Sequence, residues 1–548
     1  MTAAITIYRA RRIHTMDPAR PLATHVAVRD GRVLGAGDLS SLSGWGPHVV
    51  DERFASKVLL PGFVEGHCHL MEGAFWRHSY CGFFERMDPG GTVWLGVGSI
   101  DAVIARLQTA QAALADPAAA LVGWGFDPIH YGSRRLVRAD LDRVSAARPV
   151  VLAHASGHIL NANSAALERV GLLRTGIEHA GIELGADGLP TGELKGPDAM
   201  AAVAASVGLD RAVLAADEPA VREFARLCVR TGVTTATDLA SPLPDEAVEL
   251  LLSLTGQPGF PVRIVPLLRL LAQPVSETIR RAAALRERST DQLRLGRVKI
   301  VADGSIQGFS ARLRWPGYYN GAPNGLWYVA PETVLRAYRE ALHANVQIHT
   351  HTNGDEATDL ALDCMEQALR ETAGPDHRFT LQHCQLADAA QFRRIKALGM
   401  AVNLFANHHY FWGDQHRTMT VGPDRAERMN ACATALATGV PFSIHSDAPV
   451  TPLSPLFTAW CAVNRRTASG HLQGGHERIA VGDALRAITI GAAYTLHLDG
   501  EVGSIETGKR ADFAVLDDDP YEVAPDSLKD VRVWGTVQGG RVFAAADA

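Results

Sequence analysis

The sequence predicts an α/β protein: a (β/α)8 barrel joined to a small composite β-sandwich that is built from both termini. Three observations predict it. Strand-like apolar runs alternate with helix-like segments through the middle of the chain. Both ends read as short β segments separated by glycine-containing turns. Residues able to ligate a metal close the apolar runs of the middle, which is where barrel enzymes carry their chemistry.

From residue 4 to about 58 the chain alternates as short β segments, with Asp30-Gly31 as a hairpin turn. The apolar run 59–69, LLPGFVEGHCH, is expected to be the first barrel strand. Further runs at 232–239, 260–268, 295–303, 345–351, 378–386, 400–406 and 440–447 bring the expected strands to eight. Helix-like segments such as PETVLRAYREALHA separate most of them, and this alternation implies parallel pairing. Between the first two strands lies a long insertion at about 75–230, holding helical runs and two strand candidates, ALVGWGFD and PVVLAHAS. At the catalytic end of a barrel such an insertion is expected to shape a substrate pocket. The last seventy residues again read as β, with Gly539-Gly540 as a turn. The expected division is 1–60 and 479–548 for the two parts of the β-sandwich, with 61–478 as the barrel.

Composition narrows the class. Hydrophobic residues make up 47% and charged residues 20%, the balance of a globular enzyme. A formal charge of -6 and no dense Lys/Arg run argue against a nucleic-acid partner. The charged, alternating start lacks the apolar core of a signal peptide, and no stretch has the length and apolarity of a membrane span, so a cytoplasmic protein without a membrane partner is expected. The seven cysteines are scattered without C-x-x-C spacing, which suits free thiols; Cys68 and Cys384 alternate away from their histidine neighbours and are expected to pack. A small-molecule substrate is the expected partner, and a homo-oligomer is left open.

His67 and His69 stand two positions apart at the end of the first strand, so their side chains share one face. Lys299, His351, His383 and Asp447 close or nearly close four other runs. Imidazole and carboxylate suit a divalent ion such as zinc, and Asp447 can also accept a proton from metal-bound water. A protonated Lys299 among cation ligands would be repelled, whereas its carbamate would be anionic and could bridge two ions.

These residues resemble the metal-dependent amidohydrolase superfamily, and within it amidohydrolase family 3, the YtcJ-like branch. The resemblance spans nearly the whole chain and rests on PGFVEGHCHL, VKIVADGSIQGFSARL, IHTHTNGDEATD, LQHCQL, IHSDAPVTPLSPL and GSIETGKRADFAVLD. It implies a metal site of His67, His69, a carboxylated Lys299, His351, His383 and Asp447, holding one or two divalent ions, zinc first, with CO2 supplying the carbamate. His349 rivals His351 because alternation puts both on one face; His351 is preferred because it directly precedes the T-N-G-D turn. SGHILNANSAAL resembles a family segment that makes His158 a residue orienting the substrate. Asp303 is expected to support the carbamate or shape the turn. The sequence departs from the pattern at Glu65, where an aspartate is usual, at Gly196, where an acid is usual, and at NLFANHHYFW, so no role is carried over to His408 or His409.

The implied activity is hydrolysis of a non-peptide C–N bond in an amide, formamide, carbamate or cyclic imide, with Asp447 as proton acceptor and donor. Ester or lactone hydrolysis, or decarboxylation or isomerisation, are alternatives on the same scaffold, as is a catalytically silent metal-binding protein. Aromatic residues at 75–84, 315–319 and 410–412 are expected to overhang the mouth and to favour an aromatic or apolar substrate.

Overall fold

A computed structural model describes residues 4–548 apart from 117, 133 and 271–273. The eight expected barrel strands form one parallel eight-stranded sheet in chain order: Phe63–Glu65, Val233–Ser241, Arg263–Arg269, Arg297–Val301, Ile348–Thr352, Thr380–His383, Ala401–Leu404 and Phe442–Ile444. Their residues are almost all buried, which is why they read as apolar runs with no polar face. The first and last strands meet just beyond their carboxyl ends. There the Asp447 amide donates to the His67 carbonyl at 2.9 Å and the His69 amide to the Ala448 carbonyl at 2.8 Å. This closes the barrel with the metal-ligand candidates at the seam. Helices such as Pro331–His343 and Asp355–Glu371 cover the outside, placing Ala337, Tyr338, Ala341, Leu362 and Met365 in the same apolar cluster as Ile348 and Leu381.

Both termini enter one seven-stranded sheet, in which Phe513–Leu516 pairs antiparallel with His48–Pro61. The sheet folds over a layer that includes Tyr8, Val26, Phe54, Phe513 and Val537, so by its ladders the expected sandwich is a single folded sheet. The two hairpin turns meet at Ala511, whose amide donates to the Gly31 carbonyl at 2.9 Å and whose carbonyl accepts from the Gly540 amide at 2.9 Å. A side chain at Gly31, whose φ is +71°, would come within 3.1 Å of the Gly539 carbonyl oxygen. The stretch from 479 opens with two helices, Val481–Ala487 and Ile490–Thr495, before the terminal strands begin at Phe513. Ala492, Ala493 and Leu496 pack with Val64, Val265 and Leu267, so these helices belong to the barrel side of the boundary.

The insertion is more elaborate than two strands. It carries a six-stranded sheet, in the order Ile182–Leu184, Pro190–Lys195, Ile159–Ala162, Val150–His154, Leu121–Phe126, Ser79–Tyr80. Two apolar clusters of its own flank this sheet. The turn between Val150–His154 and Ile159–Ala162 holds His158. Among the described residues no helix is long and apolar enough to cross a membrane.

Candidate active site

The closing seam brings His67, His69 and Asp447 together, and His383 of the sixth strand reaches the same carboxylate. Nε2 of His67 and of His69 lie 3.3 and 3.2 Å from Asp447 Oδ1, and His383 Nδ1 lies 3.8 Å from Asp447 Oδ2. His67, His69 and Asp447 each offer one ligand atom within 4.8 Å of the others. His383 and Asp447 both stand in the left-handed region, at φ of 68° and 53°, a conformation that costs a non-glycine residue about 1–3 kcal/mol and clusters at functional sites.

Glu65, the departure from the family pattern, fastens the seam. Its Oε1 accepts from the His67 amide at 3.3 Å and the Ser446 amide at 3.2 Å, while its Oε2 accepts from Ser446 Oγ at 2.9 Å. The carboxyl therefore joins the H-x-H strand to the turn that carries Asp447. Burial pushes it up to about 8, with the Ser446 and His67 donors opposing the shift.

A polar ladder fixes the histidine tautomers. Ser443 Oγ donates to Asn403 Oδ1 at 2.8 Å, and Asn403 Nδ2 donates to Gln382 Oε1 at 2.9 Å. Gln382 Oε1 thus faces His67 Nδ1, at 2.7 Å, as an acceptor. His67 must carry its proton on Nδ1, leaving the Nε2 lone pair toward Asp447 and His69. Gln382 Nε2 donates to His349 Nδ1 at 2.7 Å, which occupies that lone pair.

Lys299 is buried in this setting, and its Nζ has no hydrogen-bond partner among the described residues. Burial pulls its ammonium down to about 7, opposed by Asp447. Burial also holds His67, His349, His351 and His445 well below the ordinary imidazole range, with Lys299 as the next cause in each. Lys299 is paired in register with His349, and Val301 with His351, so His351 stands nearer the mouth. The His351 ring lies 4.4 Å from His383 and 6.1 Å from His158, centroid to centroid. The turn of the insertion therefore brings His158 to the barrel mouth. Asp303 accepts from the Asn353, Gly354 and Arg312 amides at 2.9–3.0 Å. Of its two expected roles, these bonds display the shaping of the turn.

Reading the sequence residue by residue missed His445. It stacks on His67 at 4.7 Å and on Phe405 at 4.6 Å, is fully buried, and among the described residues has no hydrogen-bond partner at either nitrogen. Its signal was present, since His445 and Asp447 repeat at strand eight the same i, i+2 spacing as His67 and His69. His408 is buried and bonded to His416, Nδ1 to Nε2, at 2.9 Å, and His409 Nδ1 to Gln473 at 2.9 Å. Gly196 adopts φ +85° and donates its amide to the His158 carbonyl at 2.9 Å, so the position lacking the family's acid still supports that turn.

The aromatic residues divide. Phe84 of the insertion packs edge-on against Phe411 at 4.8 Å, and with Tyr410, Trp412 and Val450 forms an apolar roof three residues beyond Asp447. Tyr318 is buried with its hydroxyl on the Ala311 carbonyl, whereas Trp315 and Tyr319 are 94% and 61% exposed.

Comparison with known proteins places the chain in a family. The chain is 27% identical to the "Putative amidohydrolase YtcJ" of Bacillus subtilis (strain 168), over 97% of each chain. It is also 27% identical to the N-substituted formamide deformylase of Arthrobacter pascens, over 96% of each. The crystal structure of an uncharacterized metal-dependent hydrolase from Pyrococcus horikoshii superposes with a TM-score of 0.72 at 20% identity, covering 95% of this chain and 99% of that one. The model of the amidohydrolase family matches residues 55–544, and the chain belongs to that family.

Proposed function

We propose that this amidohydrolase cleaves a non-peptide C–N bond, in an amide, formamide, carbamate or cyclic imide, of a small aromatic or apolar molecule. The observation that carries the reading is Lys299: a buried amine with no hydrogen-bond partner among the described residues, set among histidines and one carboxylate. An ammonium there is disfavoured, and near neutral pH much of Lys299 is the neutral amine that can add to CO2. That addition forms an N–C bond, releases a proton and leaves an anionic carbamate. The donor chemistry fits divalent ions, zinc first, because His383 Nδ1, both His445 nitrogens and Asp447 Oδ1 are buried without hydrogen-bond partners. His67, His69 and Asp447 would hold one ion and His351 and His383 a second, with the Lys299 carbamate between them. His351 is favoured over His349 because its place in register is nearer the mouth, with its ring 4.4 Å from that of His383.

When bound, such an ion acidifies water, lowering its pKa from about 15.7 toward about 7. Asp447 takes the proton of the attacking water and returns it to the departing nitrogen. His158, at the mouth beside His351, orients the substrate. The roof of Phe84, Tyr410, Phe411 and Trp412 favours an apolar substituent, and the similarity to the formamide deformylase puts N-substituted formamides among the first substrates to try.

The test is a hydrolysis screen of zinc- and bicarbonate-supplied protein against N-formyl amines, aryl amides, carbamates, hydantoins and esters. Turnover of a C–N substrate, abolished by a strong chelator and restored by a divalent ion, is expected. Full turnover by protein shown metal-free by elemental analysis overturns the reading.

A further inference from the structure

His445 has no part in the mechanism above, yet it is a fully buried imidazole whose two nitrogens have no hydrogen-bond partner among the described residues. Leaving buried polar atoms unsatisfied is costly, so native structures rarely do so without a ligand to complete them. His67, His383 and His445 each present one ring nitrogen within 4.8 Å of the other two, and all three side chains are buried. His445 is held by packing alone, between Phe405 and the His67 ring, at interplanar angles of 28° and 20°. Its direction is therefore fixed before any ligand arrives. His67 brings only Nε2, because Nδ1 donates to Gln382.

We infer that His67, His383 and His445 form an all-imidazole cation seat that overlaps the His67–His69–Asp447 seat and competes with it. The two seats share the single free nitrogen of His67, so an ion in one denies that ligand to the other. Their donor sets differ. Nitrogen alone suits copper and nickel, while a carboxylate admits harder ions such as manganese. The protein would accordingly sort metals between two seats a few ångströms apart, which goes beyond the reading above and rests on its metal site.

Copper(II) added at one equivalent to metal-free, full-length protein tests this by electron paramagnetic resonance and by competition for the ion with a chromophoric chelator. Three coordinating imidazole nitrogens are expected. His445→Phe, which keeps the stack, should reduce them to two and weaken copper binding at least tenfold, while His69→Gln changes neither. A copper signal and affinity unaltered in His445→Phe, or lost instead in His69→Gln, overturns the inference. Circular dichroism melts check that each variant is folded, and His445→Leu replaces His445→Phe if that variant is not. The outcomes separate from those of the hydrolase reading. Metal-dependent turnover with copper indifferent to His445 ends only this inference, and turnover by metal-free protein ends only the other.

Discussion

Buried ionisable groups are treated in opposite ways at the barrel mouth and at the junction with the terminal sheet. At the junction they are paired. Arg263 on the third barrel strand meets Asp512 at 2.7 Å with both side chains buried, and its other donors reach the Asp291 carbonyl and Thr235. Asp512 also accepts from the Gly539 amide, and Asp519 in the same terminal region pairs with His14 at 2.9 Å. At the mouth, Lys299 Nζ, His383 Nδ1, both His445 nitrogens and Asp447 Oδ1 have no hydrogen-bond partner among the described residues. A junction that only joins two parts of a fold pairs its own charges, whereas a site that receives something from outside leaves donors and acceptors for the ligand to complete.

Substitution should expose the contrast. Asp447→Asn suits the same left-handed backbone and should lower kcat by about 10²–10⁴-fold, the span usual for a lost general acid-base. The thermal midpoint should not fall, because the carboxylate serves the ligand rather than the fold. A variant retaining full turnover would remove Asp447 from the chemistry. Arg263→Leu should do the reverse, losing about 3–5 kcal/mol in urea denaturation by stranding the Asp512 charge. The double variant Arg263→Met/Asp512→Leu should recover most of that loss, with a remainder of about 1 kcal/mol for the Gly539 amide left without its acceptor. If the single and double variants are equally unstable, the pair is not what holds the junction.

Lys299 turns the comparison into a pH dependence. In the metal-free protein its amine titrates near 7 instead of at 10.5, so folding penalises the protonated form. The unfolded chain holds the extra proton between those values. The cost is thus fully present below about pH 7 and fades as pH rises toward 10.5. Lys299→Met should stabilise the metal-free protein near neutral pH by about 3–5 kcal/mol and abolish that rise. It should also abolish turnover. A metal-free wild type whose stability is flat from pH 7 to 10 would mean that Lys299 already has a partner.

Much of this architecture is legible in the sequence, and the reasons divide by length and distance. The barrel strands show because they are buried on both faces and separated by amphipathic helices, and Lys299 shows because a lysine interrupts VKIVAD where only apolar residues are expected. The insertion's sheet does not show, since Ser79–Tyr80 and Ile182–Leu184 are too short to display a period and Pro190–Lys195 contains proline and glycine. The Glu65 clamp is invisible for another reason: its partner Ser446 lies 381 positions away, and only closure of the barrel brings them together. His445 sat in plain view, and without its neighbours its spacing could not be told from core packing.

The smallest effect should arise in the roof over the mouth, where Asp127 is neither paired with a charge nor left open. Its Oδ2 accepts from Trp412 Nε1 at 2.9 Å and its Oδ1 from the Ile129 amide at 3.1 Å. Burial pushes it up to about 6 from an ordinary 3.8, and its two neutral donors offset only part of that. Folding therefore favours the protonated acid. The native protein keeps the proton up to about pH 6, the unfolded chain loses it near 3.8, and stability should fall as pH rises through that window. The change is at most about 3 kcal/mol. Asp127→Asn removes the titration and places one amide N–H where an acceptor stood, so it should be less stable than wild type at low pH and should show a flatter slope between pH 4 and 6. Stability measured by urea denaturation at each pH gives both slopes. If the variant's slope matches that of wild type, Asp127 is ionised in the folded roof, and the insertion would then satisfy its buried charge as the terminal junction does.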